Sequence, residues 1–185
     1  MPAPQDNLSP VLPSVAILTG SLLSGAMLSH ALTIPIILDT TVNLPASLIV
    51  AQWSRTFHYG HLIMPPVAMG TLALYLAVLY TRRQAKAPLS GYATAAIMTV
   101  AIIPFTLAFM GDTNAALFEL EDEFSVARDA ATETYDIARE LVAKWGYLHL
   151  CRAVMPFIGA CVGFSTFLQE RSAGSMARVG GKEGY

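Results

Sequence analysis

Four apolar stretches constrain this chain more than any motif does. They run from about Val11 to Leu38, His58 to Tyr80, Tyr92 to Met110 and Leu148 to Leu168. Each holds the roughly 20 residues that a helix needs to cross a bilayer. A soluble four-helix bundle would need a polar stripe along each helix, and the segment AIMTVAIIPFTLAFM has none. Charged residues make up 13 % of the chain, against about 25 % in ordinary soluble domains. The expected fold is all-α: an integral membrane four-helix bundle with an additional extramembrane helix before the fourth span. The first stretch lacks the basic start of a signal peptide, since Asp6 is the only charge before it. Its apolar run also exceeds a signal core, so it reads as a retained span.

The organisation follows from these segments. Residues 1–12 read as a disordered N-terminus and 13–168 as one transmembrane domain, with spans at about 13–38, 58–80, 91–110 and 148–168. Residues 169–185 read as a flexible tail. Between spans three and four lies an acidic loop, 111–147, with nine Asp and Glu residues between Asp112 and Glu140. Its second part, SVARDAATETYDIARELVAKWGYLHL, has helical spacing, with Ser125 as a candidate cap and Gly146 as a candidate break. The acids lack the spacing of a calcium loop and read as a solvated face. Four spans put both termini and the loop TRRQAKAPLSG on one side. That side carries six basic residues (Arg82, Arg83, Lys86, Arg171, Arg178, Lys182) against four on the other (Arg55, Arg128, Arg139, Lys144), so it is expected to be cytosolic. The endoplasmic reticulum is the candidate membrane.

Several function classes drop out. A net charge of −2 gives no reason to expect nucleic acid. Cys151 and Cys161 lie ten residues apart in one apolar segment, without zinc spacing or the geometry of an intrahelical disulfide. No glycine-rich phosphate loop is present, so nothing marks a nucleotide cofactor.

What remains is a polarised set of ionisable groups. In the four-span topology His30 lies in the outer half of span one, and His58 and His61 open span two from that side. Asn114 follows span three there, and His149 and Arg152 open span four. His58 and His61, like His149 and Arg152, are i,i+3 pairs that share a helix face. An ionisable residue inside a membrane is costly and marks a functional site by default. Small residues such as Gly20, Gly25, Gly60 and Gly70 allow close helix approach, and Pro35, Pro65, Pro66, Pro104 and Pro156 open the helices. Histidine near neutral pH takes up a proton readily. Three or four histidines also suit iron, copper or haem, so a bound metal or haem stays open as an alternative. A transporter or a scaffold anchoring a soluble synthase is the non-enzymatic alternative.

The chain resembles the anthrone oxygenase family of small four-span membrane proteins over roughly residues 14–168. The resemblance rests on the small-residue first span leading into Pro35 and on Trp53 through Tyr59 and Gly60, with Pro65 behind. It continues through Asn114 and Leu117, Trp145, and the Arg152–Ala153 pair. It implies oxidation of a polyketide anthrone at its C10 methylene to the anthraquinone, with dioxygen as co-substrate and without a flavin or added metal. It also implies a flat, hydrophobic aromatic substrate drawn from the bilayer and association with a polyketide synthase pathway; a homo-oligomer is compatible with it. On this reading His61 or His58 is the base, with His30 beside them in the pocket. Asn114, Arg152 or His149 steadies the oxyanion, and Trp53, Tyr59, Phe109 or Trp145 faces the rings.

Overall fold

The computed structural model describes residues 9–126 and 132–180; the expected disordered residues before Ser9 and the last five of the chain lie outside the described residues. Every regular element described is helical. Helix α1 covers Val11–Thr40 and α2 Ala46–Gln84; α3, Ser90–Val100, is followed by the short α4, Ile102–Phe105. A π-helical turn, Thr106–Met110, leads into α5, Gly111–Val126, and α6 runs Thr132–Gly180. Four helical stretches are long and apolar enough to cross a membrane: Val11–Thr40, Ala46–Gln84, Ser90–Ser125 and Thr134–Met176. Much of their surface is apolar and turned outward, as in Leu18, Leu22, Leu62, Leu107 and Phe157. A face of that kind is stable only against lipid or another apolar surface. The chain is an all-α membrane protein.

The helices are longer than the expected spans. The second helix starts at Ala46, so WSRTFHYGH lies inside it and not at its entrance. The acidic region is divided between α5, continuous with the third span, and the start of α6. The helix expected before span four is the first part of α6 itself. Ser125 does not cap it: its hydroxyl donates to the Asp122 carbonyl in the last turn of α5. Gly146 does not break it either. A Cβ there would sit 2.7 Å from Ile34 Cγ2, so the missing side chain makes room for the core residue Ile34. At the C-terminal end, α6 continues past Leu168 to Gly180, so the first part of the expected tail is helical. A helix that pairs its own backbone groups has no reason to stop where hydropathy falls, unless glycine, proline or a cap stops it.

The chain divides into two compact units, and the division crosses the long helices. Unit 1 holds the residues through Leu23, Val67–Val100 and those from Pro156 on; unit 2 holds Ser24–Pro66 and Ala101–Met155. Two of the four crossings fall at Pro66 and Pro156. In unit 1, Ala16, Tyr75, Val78, Tyr92, Ala95 and Ala96 form the core. Small residues bring its backbones close: a Cβ on Gly159 would lie 3.0 Å from the Ala95 carbonyl oxygen. Arg82, counted from the sequence among the basic residues of the loop TRRQAKAPLSG, lies in the last turn of the second helix. It is buried, and its guanidinium forks onto Glu170, with Nη2 2.6 Å from Oε2. The Tyr92 hydroxyl donates to the same carboxylate at 3.0 Å, and the guanidinium carbon stands 4.4 Å over the Tyr92 ring.

In unit 2 the core is Ile34, Ile37, Ile49, Trp53, Met110, Leu117, Val142 and Trp145. Trp53 and Trp145, expected at a membrane interface or against substrate, are buried and meet edge to face at 6.1 Å. Phe57 and Phe118 complete the cluster, each ring 5.1–5.5 Å from its neighbours. Tyr59 and Phe109 point outward, each 61 % exposed.

Candidate active site

All six sequence-predicted site residues lie in unit 2, but the structure treats them differently. His58 and His61 stand on the exposed face of α2. His61 stacks flat on Phe57 at 5.8 Å, and His58 meets the edge of Tyr59 at 5.7 Å. Their i,i+3 spacing does give them a common face, and that face is turned outward.

His30, His149 and Arg152 come together inside the unit. The His149 side chain is 1 % exposed, and its ring lies 6.1 Å from that of His30. Arg152 Nη2 lies 2.7 Å from His149 Nδ1. A guanidinium can only donate, so Nδ1 accepts and carries no proton. The other nitrogen, Nε2, therefore holds the hydrogen and donates it to the Met27 carbonyl at 3.1 Å. Both ring nitrogens are committed, and His149 is fixed as the neutral Nε2–H form. Trp145 stacks on this ring at 4.7 Å, and its indole N–H donates to Asn114 Oδ1 at 3.0 Å. That bond orients the Asn114 amide and leaves its two N–H donors unspent.

The opposite holds for His30. Its Nε2 lies 3.2 Å from the Thr56 carbonyl oxygen, which can only accept. The neutral ring thus bears its proton on Nε2 and a free lone pair on Nδ1. Gly60 makes this position possible: a Cβ there would stand 3.2 Å from His30 Cδ2 and Nε2. The sequence signals Gly60 as a place of close approach, and what approaches is His30.

Arg152 completes the group. Its Nη1 donates to Thr106 Oγ1 at 2.8 Å, and Nη2 is held by His149. Its Nε is buried without a partner. Among the described residues the guanidinium meets no carboxylate, whereas Arg82 has one. The guanidinium therefore has neutral partners only and keeps a donor unspent, so its charge is not cancelled by a side chain among the described residues. No three His, Cys, Asp or Glu side chains among the described residues converge as metal ligands.

Comparison with known proteins identifies the lineage. The sequence profile of anthrone oxygenase matches residues 53–162. This chain belongs to the anthrone oxygenase family. It is 38 % identical over 159 residues to an anthrone oxygenase of Aspergillus novofumigatus, covering 85 % of this chain and 93 % of that one. An anthrone oxygenase of Paecilomyces divaricatus is 40 % identical over 152 residues, 81 % of this chain and 91 % of its own. The noranthrone monooxygenase of Aspergillus flavus is 41 % identical over 150 residues, 80 % of this chain and 70 % of its own. No solved structure matches the chain. The matched region of the family includes Trp53, Gly60, Thr106, Asn114, His149 and Arg152. Thr106 was not singled out in the sequence. Its only signal is a hydroxyl in an apolar run two residues after Pro104.

Proposed function

We propose that this member of the anthrone oxygenase family oxidises a polyketide anthrone to its anthraquinone, using dioxygen and the group around Arg152. The observation that carries the site assignment is Arg152: buried, held by a neutral imidazole and a hydroxyl, and unpaired with any carboxylate among the described residues.

An anthrone has one ring carbonyl and, opposite it, an acidic methylene. His30 Nδ1 takes a proton from that methylene. The negative charge moves to the carbonyl oxygen, because the central ring becomes aromatic. Arg152, with the Asn114 amide in reach of the same helix pair, holds the oxyanion. His149 does not exchange protons; it positions the guanidinium. The electron-rich anion gives an electron to dioxygen, and the radical pair closes a carbon–oxygen bond to form a hydroperoxide. Loss of the remaining C10 hydrogen as a proton breaks the O–O bond and expels hydroxide. One oxygen atom ends in the new carbonyl and the other leaves as water. The oxidation of methylene to ketone uses all the electrons that dioxygen accepts, so no outside reductant is needed. We propose no metal or organic cofactor. The aromatic cluster of buried Trp53 and Trp145 with half-buried Phe57 and exposed Phe118 suits a flat hydrophobic substrate arriving from the bilayer.

We also propose that the termini face the cytosol, from an endoplasmic reticulum location, with access to the product of a soluble synthase. The basic residues of the loop after the second helix and of the C-terminal end support this reading. Glycosylation sites introduced between residues 111 and 147 test it: modification supports a lumenal loop.

The central test uses protein purified in nanodiscs with emodin anthrone and dioxygen, following quinone formation above the spontaneous rate. We expect a clear excess for the wild type and background for Arg152→Gln. Quinone formation at the background rate by a folded wild type would sink the reading. Metal content and turnover after exhaustive chelation test the cofactor proposal: lost turnover that returns with one metal overturns it.

A further inference from the structure

On α6, Trp145, His149 and Arg152 stand at i, i+4 and i+7, one face of a regular helix. Two of these residues reach across to the third span: Trp145 to Asn114 and Arg152 to Thr106. The two helices run antiparallel, so the spacing of the partners should mirror that of the donors. It does not. Trp145 and Arg152 are seven residues apart, while Thr106 and Asn114 are eight apart.

In a continuous α-helix seven residues bring the chain back to about 20° from its start, whereas eight leave it about 80° past. Thr106 and Asn114 would then differ by about 100° from what the α6 face requires. Between them lies the π-helical turn Thr106–Met110. A π turn holds one residue more than an α turn, so eight residues across it cover the angle of seven. The extra residue bulges outward, where Leu107, Ala108 and Phe109 are exposed.

We propose that Thr106, brought into register by this π turn, is a positioning residue for Arg152. Its hydroxyl hydrogen is spent on the Ile102 carbonyl at 2.6 Å, so the oxygen's lone pairs face the guanidinium. Thr106 and His149 grip Nη1 and Nη2 separately and fix the plane of the fork. Nε and the remaining N–H groups are then aimed by the protein and not by the substrate. The inference rests on the reading of Arg152 as the holder of the anthrone oxyanion.

The test compares Thr106→Val, Thr106→Ser and Arg152→Gln as full-length protein in nanodiscs, with emodin anthrone and dioxygen. Misaiming a catalytic group by about an ångström costs up to roughly 100-fold. We therefore expect Thr106→Val to lose roughly 10–100-fold in kcat with KM and thermal midpoint unchanged, and Thr106→Ser to recover most of it. Wild-type kcat in Thr106→Val beside an inactive Arg152→Gln would overturn the positioning role and leave the Arg152 reading intact. An active Arg152→Gln would overturn both. Should Thr106→Val not fold, deletion of Leu107 still decides the register. It leaves Thr106 and Asn114 seven residues apart, so a plain α-helix keeps both contacts and kcat stays within a few-fold. A folded deletion variant without activity would refute the register argument.

Discussion

Arg82 in unit 1 and Arg152 in unit 2 show what a buried cation does when its partners differ. Arg82 has the Glu170 carboxylate, which takes its fork, and Tyr92, whose hydroxyl donates to that carboxylate and whose ring lies beneath the guanidinium. Its charge is cancelled and its donors are largely spent, so the cluster is a lock. Arg152 has an imidazole, a hydroxyl and a buried Nε without a partner. Its charge is uncancelled by any side chain described, and its geometry is fixed in advance. A protein keeps such a group only where something else supplies the negative charge. On the mechanism proposed above, that charge is the substrate's own, present only after a proton has left.

Swapping the two losses tests the contrast most directly. Arg152→Gln should lower kcat/KM by roughly 100–1,000-fold, the scale of removing an oxyanion donor, with the thermal midpoint little changed. Arg82→Gln should do the reverse. Breaking a buried ion pair costs about 3–5 kcal/mol, but the Glu170 side chain is 24 % exposed, so the low end or less is expected. Activity per folded molecule should stay within a few-fold. Unfolding in detergent beside turnover separates the two, and equal activity losses would erase the contrast between lock and site.

The histidines sharpen the comparison within unit 2. His30→Gln should cost roughly 100–10,000-fold in kcat, the range for a general base. His58→Ala and His61→Ala, on the outward face, should each keep activity within a few-fold. If His61→Ala abolishes quinone formation in folded protein while His30→Gln does not, the base belongs on α2 and the assignment here fails. Gly60→Ala should show a smaller loss, about tenfold, because a methyl group 3.2 Å from the His30 ring pushes it off its Thr56 bond without removing it.

The sequence expresses part of this contrast and not the rest. The four spans were legible because a bilayer imposes length and apolarity directly on the residues. The polarised set His30, His58, His61, Asn114, His149 and Arg152 was legible because strongly polar and ionisable side chains are rare in such segments. Which histidine faces inward was not, since i,i+3 spacing fixes a common face but not its direction. Trp53 and Trp145 read as interface aromatics because membrane belts favour Trp; only packing shows them buried against each other. Thr106 was invisible because its role depends on a π turn, and a one-residue change in helical pitch has no compositional mark. Gly146 and Gly60 carried a signal of the right kind with the wrong or incomplete meaning: each makes room for a neighbour, Ile34 or His30, that lies far away in sequence.

The smallest expected effect lies in unit 1, next to the lock. The second helix ends in a Schellman motif, with Ala87 N–H bonded to the Arg82 carbonyl at 3.0 Å and Lys86 N–H to that of Arg83 at 3.1 Å. Lys86 takes the left-handed position, with φ 54°. A side chain there costs roughly 1–2 kcal/mol, whereas glycine adopts that backbone freely. Glycine also gains chain entropy on unfolding, about 0.4–1 kcal/mol. Lys86→Gly should therefore stabilise by roughly 0.5–1 kcal/mol net, read as a small rise in thermal midpoint. Because the motif closes on the carbonyl of Arg82, the gain should persist in an Arg82→Gln background if the turn and the ion pair are independent. A gain that vanishes there would show that the lock and the helix end hold each other in place.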